Sequence, residues 1–346
     1  MPDIHQYNNK QSHAVTGVEI QPSRLLSVGF YKLSFKALEN ISLPAYEGSA
    51  WRGVFGHALK KTVCVTRERL CTDCMLYRNC PYSYIFETPP PADTDRMKRY
   101  TAAPHPFVIF PLPMDNRTVQ TGKELYVELI VFGRANTFLP YIVYAFRMAG
   151  QQGIGNDRGK FELIGIEQNT KTGNTDWQSI WKDDSPLTQK PPFIPELLDC
   201  PGTVLLEFQN PMRLKRDERL VGPKEFAFHD LFRNLLRRIA MLTYFHEKTS
   251  LDVDFAGLAD KSRNVNILKK NLGWQDWTRY SSRQKTAMQM GGLIGSIELN
   301  GDALQPFWPF LWLGQWTHAG KGASMGLGRY RINSTASLPE QTEANG

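Results

Sequence analysis

The order in which structural patterns recur along the chain is the feature that most limits its fold. Each half opens with a segment rich in β-branched and aromatic residues, typical of a strand, and continues with a segment of helical periodicity. Two more strand-like segments, a second helical segment and a glycine-rich loop entering a last strand follow. In the first half the segments are 24–38, 47–63, 105–112, 124–133, 136–150 and 151–167, and in the second half 202–214, 224–248, 277–284, 289–301, 303–320 and 321–332.

This strand–helix–strand–strand–helix–strand order is that of a ferredoxin-like domain. Its repetition predicts an α+β protein of two tandem ferredoxin-like domains, and 346 residues suit two domains. A proline-rich stretch is the best boundary between them. We therefore expect an N-terminal domain over 23–183, a linker over 184–201 and a C-terminal domain over 202–333.

Composition limits the class of protein further. The 41% of hydrophobic residues argues against a mostly disordered or fibrous chain. With no apolar run of about 18 residues, we expect no membrane span and no membrane partner. The 41 Lys and Arg outnumber the 34 Asp and Glu, and the net charge of +7 permits a polyanionic partner such as nucleic acid. The first residues lack the apolar segment of a secretory signal, so we expect a cytoplasmic protein.

Four of the five cysteines lie close together. An odd total bunched in one segment argues against a disulfide framework and for a reducing compartment. Thiolates at such short spacing suit a tetrahedral zinc ion. With four thiolate ligands, the ion would have no open coordination position for a substrate. An iron–sulfur cluster and four unligated thiols are the alternatives. The sequence predicts a structural zinc site in an insertion over 64–82, with the ligands Cys64, Cys71, Cys74 and Cys80.

Two histidines are candidates for proton transfer. On the first predicted helix, His57 lies away from the apolar stripe, with Gly53 one turn before it and Lys60 and Lys61 one turn after it. The glycine leaves room for a substrate, the ammonium groups attract phosphate, and imidazole accepts a proton near neutral pH. The alternative is a solvated histidine on a basic helix. His318 ends a predicted helix, where an imidazolium cap is as natural as a catalytic or RNA-contacting role.

The second glycine-rich loop, GKGASMGLGR (320–329), is the clearest candidate for anion binding. Glycines let backbone N–H groups approach an anion, and flanking cations add charge. A plain turn-rich connection is the alternative. Together with basic and aromatic groups on the helices and strands, the loop predicts RNA-binding residues, namely Arg52, Arg213, Lys215, Arg279, Tyr280, Arg283, Gly320, Lys321, Gly322, Gly326, Gly328 and Arg329.

These stretches together resemble a known family, the CRISPR-associated endoribonucleases of the RAMP superfamily that process precursor CRISPR RNA. The glycine-rich loop and the RYSSRQ stretch are the most specific matches. The resemblance covers about 24–332 and is carried by WRGVFGHALKK (51–61), CPYSYIFE (80–87), HPFVIFP (105–111), FGRANTFLPYIVYAFRMAGQQGIG (132–155), FQNPMRLKR (208–216), FHDLFRNLLRRIAML (228–242), WTRYSSRQ (277–284), MGGLIGSIEL (290–299) and HAGKGASMGLGRYRI (318–332).

The resemblance implies RRM-type ferredoxin-like domains with RNA in or beside the cleft between them. It implies a metal-independent reaction without a catalytic cofactor, in which the ribose 2′-OH attacks the adjacent phosphate and leaves a 2′,3′-cyclic phosphate and a 5′-OH. His57 matches the family's base, Tyr46, Lys60 and Lys61 are the nearby assistants, and His318 could replace or complement His57.

The resemblance further implies two partners, the repeat of precursor CRISPR RNA and CRISPR effector subunits. A non-catalytic CRISPR RNA-binding subunit of the same architecture is the first alternative. A zinc-containing nucleic-acid-binding module with no CRISPR role is the second.

Overall fold

The first half of the chain folds around a five-stranded antiparallel sheet in the order β3-β5-β1-β6-β7, beside a small β2–β4 pair. The computed structural model describes residues 26–90, 103–114, 117–172, 176–182, 185–281 and 286–334, without the side chains of 279–281, 286–289 and 334. The elements are β1 (Val28–Ala37), β2 (Ile41–Ser42), α1 (Glu47–Val63), β3 (Phe107–Pro111), β4 (Thr118–Val119), β5 (Glu124–Phe132), α2 (Leu139–Gln152), β6 (Phe161–Asn169) and β7 (Trp177–Lys182).

The second half folds around a four-stranded antiparallel sheet in the order β11-β12-β8-β13. The four main strands of each half take the same places, second–third–first–fourth, so the chain consists of two tandem ferredoxin-like folds. The elements are β8 (Thr203–Met212), β9 (Lys215–Arg216), β10 (Arg219–Leu220), α3 (Phe228–His246), α4 (Phe255–Lys261), β11 (Ile267–Ser281), β12 (Thr286–Asn300), α5 (Trp308–Thr317) and β13 (Tyr330–Ser334).

The first sheet is covered on both faces, and side-chain alternation along β1 shows how. Tyr31, Leu33 and Phe35 point to the core beneath α1 and α2. Val28 and Phe30 point the other way and belong to the hydrophobic core of the second half. Because successive strand residues face opposite sides of a sheet, one strand serves both cores, and the two halves pack as one body.

Polar contacts reinforce this packing at the end of α3. The Tyr84 hydroxyl donates to His246 Nδ1 (2.9 Å), and His246 Nε2 donates to the Pro104 carbonyl (2.9 Å). His246 is only 1% exposed. Its carbonyl lies against Gly133, which has φ +56° and whose added Cβ would approach that oxygen to 2.4 Å. The first half therefore surrounds the last turn of α3 with no room for a side chain at Gly133.

The proline-rich stretch between the halves is also packed. Phe193 exchanges two backbone hydrogen bonds with Val28, of 2.7 and 2.9 Å. The indole of Trp308 donates to the Leu198 carbonyl (2.6 Å), and that of Trp312 donates to the Glu196 carbonyl (2.7 Å). This segment is therefore ordered, and it connects α5 to β1 through hydrogen bonds to both.

Several elements differ from the sequence prediction. Strand β11 begins ten residues before the predicted 277, because ILKKNLGWQD is mostly polar and exposed and lacks a regular apolar–polar alternation, although Ile267, Leu272 and Trp274 pack against the core. The short helix α4 and the edge strand β7 also fall in segments with no predicted element. Helix α1, in contrast, has the predicted bounds. Within the described ranges, no helix has the length and apolar character needed to cross a membrane.

Acid should weaken the contact between the halves through His246. Burial, together with the weaker effect of the positive charges of Arg134 and Arg238, lowers the pKa of His246 to about 4. The unfolded chain takes up this proton below about pH 6.5, so stability that is present above pH 6.5 is lost as the pH falls toward 4. At about pH 5 the loss from this residue should be about 2 kcal/mol.

Urea denaturation at about pH 7.5 and about pH 5 measures this loss as a difference in the free energy of unfolding. The variant His246→Gln should show a difference smaller by about 2 kcal/mol than that of the wild type. The same pH dependence in both proteins would contradict this account of His246.

Candidate functional site

The exposed face of α1 carries the predicted base. Trp51, Phe55, Ala58 and Leu59 are buried, and His57 projects from the opposite, exposed side. Gly53 lies one turn before it, where an added Cβ would meet no atom within 4 Å, and the exposed Lys61 lies one turn after it. This face is therefore open to a phosphodiester chain and offers an imidazole and an ammonium group side by side.

Lys60 points toward the cysteine segment rather than along this face. Its Nζ lies 5.7 Å from the centre of the Tyr82 ring. Lys60 also lines the small cavity that all four clustered cysteines border. The structure therefore separates the two lysines that the sequence had placed together beside His57.

Tyr46 lies between the two halves of the chain. Its hydroxyl donates to the Met325 carbonyl in the glycine-rich loop (2.5 Å), and its ring lies 5.4 Å from that of Trp277 in β11. Burial raises the pKa of Tyr46, and the neighbouring Glu47 raises it further. A phenol that donates to a carbonyl and resists ionisation is suited to holding the loop against α1.

His318 is completely buried. Its Nδ1 donates to the Leu327 carbonyl (3.2 Å), and its ring packs edge-on against Phe110 at 6.1 Å. Burial lowers the pKa of His318 well below its usual value, and the positive charges of Arg329 and Arg238 lower it further. This burial disfavours the imidazolium cap at the end of α5, one of the two roles left open for His318, because it outweighs the attraction of a helix C-terminus.

The glycine-rich loop uses many of its N–H groups within the protein. Gly320 and Gly326 have φ of +80° and +89°, and their added Cβ atoms would meet the carbonyl oxygens of Arg213 (2.4 Å) and Ile109 (2.7 Å). The loop thus wedges against β3 of the first half. Because they already donate to oxygens of the protein, seven N–H groups of the loop do not donate to an RNA phosphate in this arrangement, while Gly322 accepts at its carbonyl. These donors belong to Ala319, Lys321, Met325, Gly326, Leu327, Gly328 and Arg329.

Two of the predicted RNA-binding arginines have protein partners. Arg329 pairs with Glu128 of β5 (2.6 Å), with side chains 13% and 7% exposed, and its guanidinium lies 4.2 Å from the centre of the Phe110 ring. Arg52 donates to His105 Nε2 (3.1 Å) and lies over the Phe86 ring. Both cations therefore contribute to packing, Arg329 between the halves and Arg52 within the first half.

Three further cations of the predicted set lie at the junction of β8, β9 and the loop. Lys321 is exposed, and its N–H donates to the Arg213 carbonyl (2.8 Å). Lys215 pairs with the exposed Glu218 (2.6 Å). Arg213 Nη1 donates to the Met290 sulfur (2.6 Å). This basic junction, formed by Arg213, Lys215 and Lys321, is the part of the predicted RNA-binding set that the structure brings together. Lys321 is exposed, whereas Lys215 and Arg213 are half-buried.

Strands β11 and β12 extend beyond the sheet as a two-stranded ribbon. They pair from Ile267–Leu299 out to Ser281–Thr286, whereas β8 pairs with β12 only from Leu293 onward. The backbone of Arg279 and Tyr280 lies near the end of this ribbon; their side chains, and Arg283 altogether, lie outside the described residues. A ribbon of this kind can enter a nucleic-acid groove.

The four clustered cysteines border one small cavity at the end of α1. None of residues 64–80 is buried, and their regular structure is a single turn, Cys71–Asp73. The Thr66 hydroxyl lies 3.2 Å from Cys74 Sγ. In the described part of the chain, no group of three or more His, Cys, Asp or Glu is arranged to hold a metal ion as it stands.

Sequence reasoning missed the residues that join the halves. Glu128 and Arg329 are 201 positions apart, and no local pattern pairs them. His246 and Tyr84 pair across 162 positions. One signal was available: Glu128 is a lone charge in the apolar run ELIVF, and a buried charge needs a partner.

Family models match both halves of the chain. Residues 206–330 match the model described as "CRISPR-associated endoribonuclease Cas6", and residues 26–193 match one described as "N-terminal domain". An uncharacterized protein of Archaeoglobus fulgidus is 32% identical over 124 residues, which cover 36% of this chain and 40% of that protein. The match thus spans about two fifths of the relative's length.

Solved structures share the fold at low sequence identity. A Cas6 product complex has a TM-score of 0.54 at 13% identity, covering 89% of this chain and 99% of the other. A partial Cas6-RT-Cas1–Cas2 complex has a TM-score of 0.51 at 12% identity, covering 91% of this chain and 47% of the other. These likenesses support the tandem ferredoxin-like architecture.

The Arg329–Glu128 pair should matter for stability. Arg329→Met leaves a carboxylate buried without its cation, so the free energy of unfolding should fall by about 3–5 kcal/mol. The double variant Arg329→Met, Glu128→Leu should lose less, because no charge is stranded. Lys321→Met, an exposed cation of the same loop, should change stability by no more than about 0.5 kcal/mol. Urea denaturation measures all three, and equal losses for Arg329→Met and Lys321→Met would contradict the structural role.

Proposed function

We propose that this chain cleaves the repeat RNA of precursor CRISPR transcripts into guide RNAs, because residues 206–330 match the family model described as "CRISPR-associated endoribonuclease Cas6". The family match of the second half carries the proposal. The open, basic face of α1 and the basic junction supply the chemistry and the charge that such a reaction needs.

We place the reaction on the exposed face of α1. His57 accepts the proton of the ribose 2′-OH, and the 2′-oxygen attacks the adjacent phosphorus. The bond to the 5′-oxygen breaks, leaving a 2′,3′-cyclic phosphate and a 5′-OH. The Lys61 ammonium, one turn along the helix, offsets the charge of the phosphorane and protonates the leaving oxygen. No step needs a metal ion.

The other candidate residues take supporting roles in this proposal. The half-buried Tyr46 and the fully buried His318 hold the loop and β3 in place. Lys60 faces the cysteine segment. RNA follows the cations of the basic junction and the β11–β12 ribbon, with Arg279, Tyr280 and Arg283 contributing stacking and charge. The cleaved RNA then passes to CRISPR effector subunits.

Replacing the base should slow the chemical step without loosening RNA. His57→Ala should reduce the single-turnover rate about 10²–10⁴-fold in EDTA, with an unchanged dissociation constant. His229→Ala, which removes a half-buried histidine of α3, is the matched control and should cleave at the wild-type rate. A 2′-deoxy sugar at the cut site should abolish cleavage by removing the nucleophile. A strict Mg²⁺ requirement, or normal cleavage by His57→Ala, would contradict the mechanism.

We also propose that the four clustered cysteines hold a structural zinc ion. This segment of 17 residues has no fully buried side chain, and within it Cys71 and Cys80 alone pack against the core of the first half, so little burial orders it. Three of its apolar side chains, Val65, Leu70 and Met75, are exposed by 77%, 57% and 89%. A zinc ion held by the four thiolates at this cavity would cross-link the segment and order it. The exposed chain has the freedom to close around the ion.

Purified protein should therefore contain about one zinc per chain, measured by elemental analysis. Cys74→Ser should lose the metal and expose Arg67, Arg69 and Arg78 to trypsin, whereas Cys200→Ser, the cysteine outside the cluster, should retain both metal and resistance. An absence of zinc, or iron with a visible chromophore, would refute the zinc site.

A further inference from the structure

A carboxylate already occupies the centre of the basic junction. The β9–β10 hairpin has a two-residue turn, Asp217 and Glu218, and both residues have left-handed φ, +47° and +62°. The turn projects Glu218 back onto Lys215, whose Nζ lies 2.6 Å from its Oε2. The Glu218 side chain is 91% exposed, so the pair faces solvent at the surface where RNA is proposed to bind.

More cations surround this carboxylate than the one that pairs with it. Lys321 lies beside β9 because its N–H donates to the Arg213 carbonyl, two residues before Lys215. Lys215, then Lys321 and Arg237, lower the pKa of Glu218. Partial burial lowers the pKa of Lys321, and the adjacent Lys215 lowers it further. Three cations, Lys215, Lys321 and Arg237, thus act on one carboxylate.

The backbone does not explain a glutamate at this position. Left-handed φ in a hairpin turn favours glycine, asparagine or aspartate, and glutamate gains nothing there from its conformation. Its charge does have an effect, since it offsets repulsion between Lys215 and Lys321. An exposed ion pair is weak and easily exchanged, so a second anion can take its place.

We propose that Glu218 holds the place of an RNA phosphate in the basic junction, so that RNA binds there only by displacing this carboxylate. The inference rests on the proposed RNA-binding function and assigns the junction one phosphate site. It also gives Glu218 a role in discrimination. RNA that makes few other contacts with the protein gains too little binding free energy to displace the carboxylate. Repeat RNA makes further contacts, and their binding free energy offsets the loss of the ion pair.

The test compares Glu218→Gln with Asp217→Asn. Both raise the net charge by one in the same turn, but the Asp217 carboxylate acts on Arg216 rather than on the junction. The probes are the cognate repeat RNA with a 2′-deoxy cut site and a uridine homopolymer of about 20 nucleotides. Dissociation constants are measured by filter binding from about 50 to about 200 mM salt.

Glu218→Gln should tighten binding of the homopolymer by about threefold or more at low salt and steepen the log–log salt dependence by about 0.7, one further phosphate contact on a single strand. The preference of Glu218→Gln for repeat RNA, measured as the ratio of its dissociation constants for homopolymer and repeat RNA, should fall. Asp217→Asn should match the wild type. Equal effects of the two variants, or no effect of Glu218→Gln, would overturn the inference while wild-type cleavage of repeat RNA still stands. Wild-type protein that binds neither RNA would instead overturn the proposed function.

Discussion

The contact of the glycine-rich loop with the first half is the interaction on which the rest of the structure depends. Tyr46, which immediately precedes α1, donates to the Met325 carbonyl of the loop. Gly326 of the loop lies against β3, and Arg329 pairs with Glu128 of β5. These contacts fix α1 relative to β8, β9 and the ribbon. In the proposed function, this contact sets the position of His57 on α1 relative to the cations of the second half.

Burial gives His246 and His318 different capabilities from those of His57. His246 and His318 are buried, and the low dielectric of their surroundings keeps them neutral. Their neutral imidazoles join separate elements by hydrogen bonds, and protonation would weaken the packing of those elements. His57 is exposed beside an open glycine. Proton transfer with a substrate is therefore assigned to the histidine that contributes least to packing.

Sequence patterns predicted what depends on local periodicity. The apolar spacing of α1 fixed its bounds, and the repeated order of elements identified both ferredoxin-like folds. Long-range pairing was beyond this reasoning. Glycines that suggest an anion cradle serve instead for close approach to Ile109 and Arg213. A cation such as Arg329 looks the same in sequence whether it meets phosphate or a carboxylate 201 positions away.

The location of the scissile phosphate tests the account most directly. The structure of the protein bound to repeat RNA with a 2′-deoxy cut site would show it. The account predicts the cut-site ribose against the exposed face of α1, with its C2′ edge within about 4 Å of the His57 imidazole and the phosphate within reach of Lys61. A cut-site phosphate lodged at the glycine-rich loop beside a newly exposed His318, with His57 facing solvent, would contradict it.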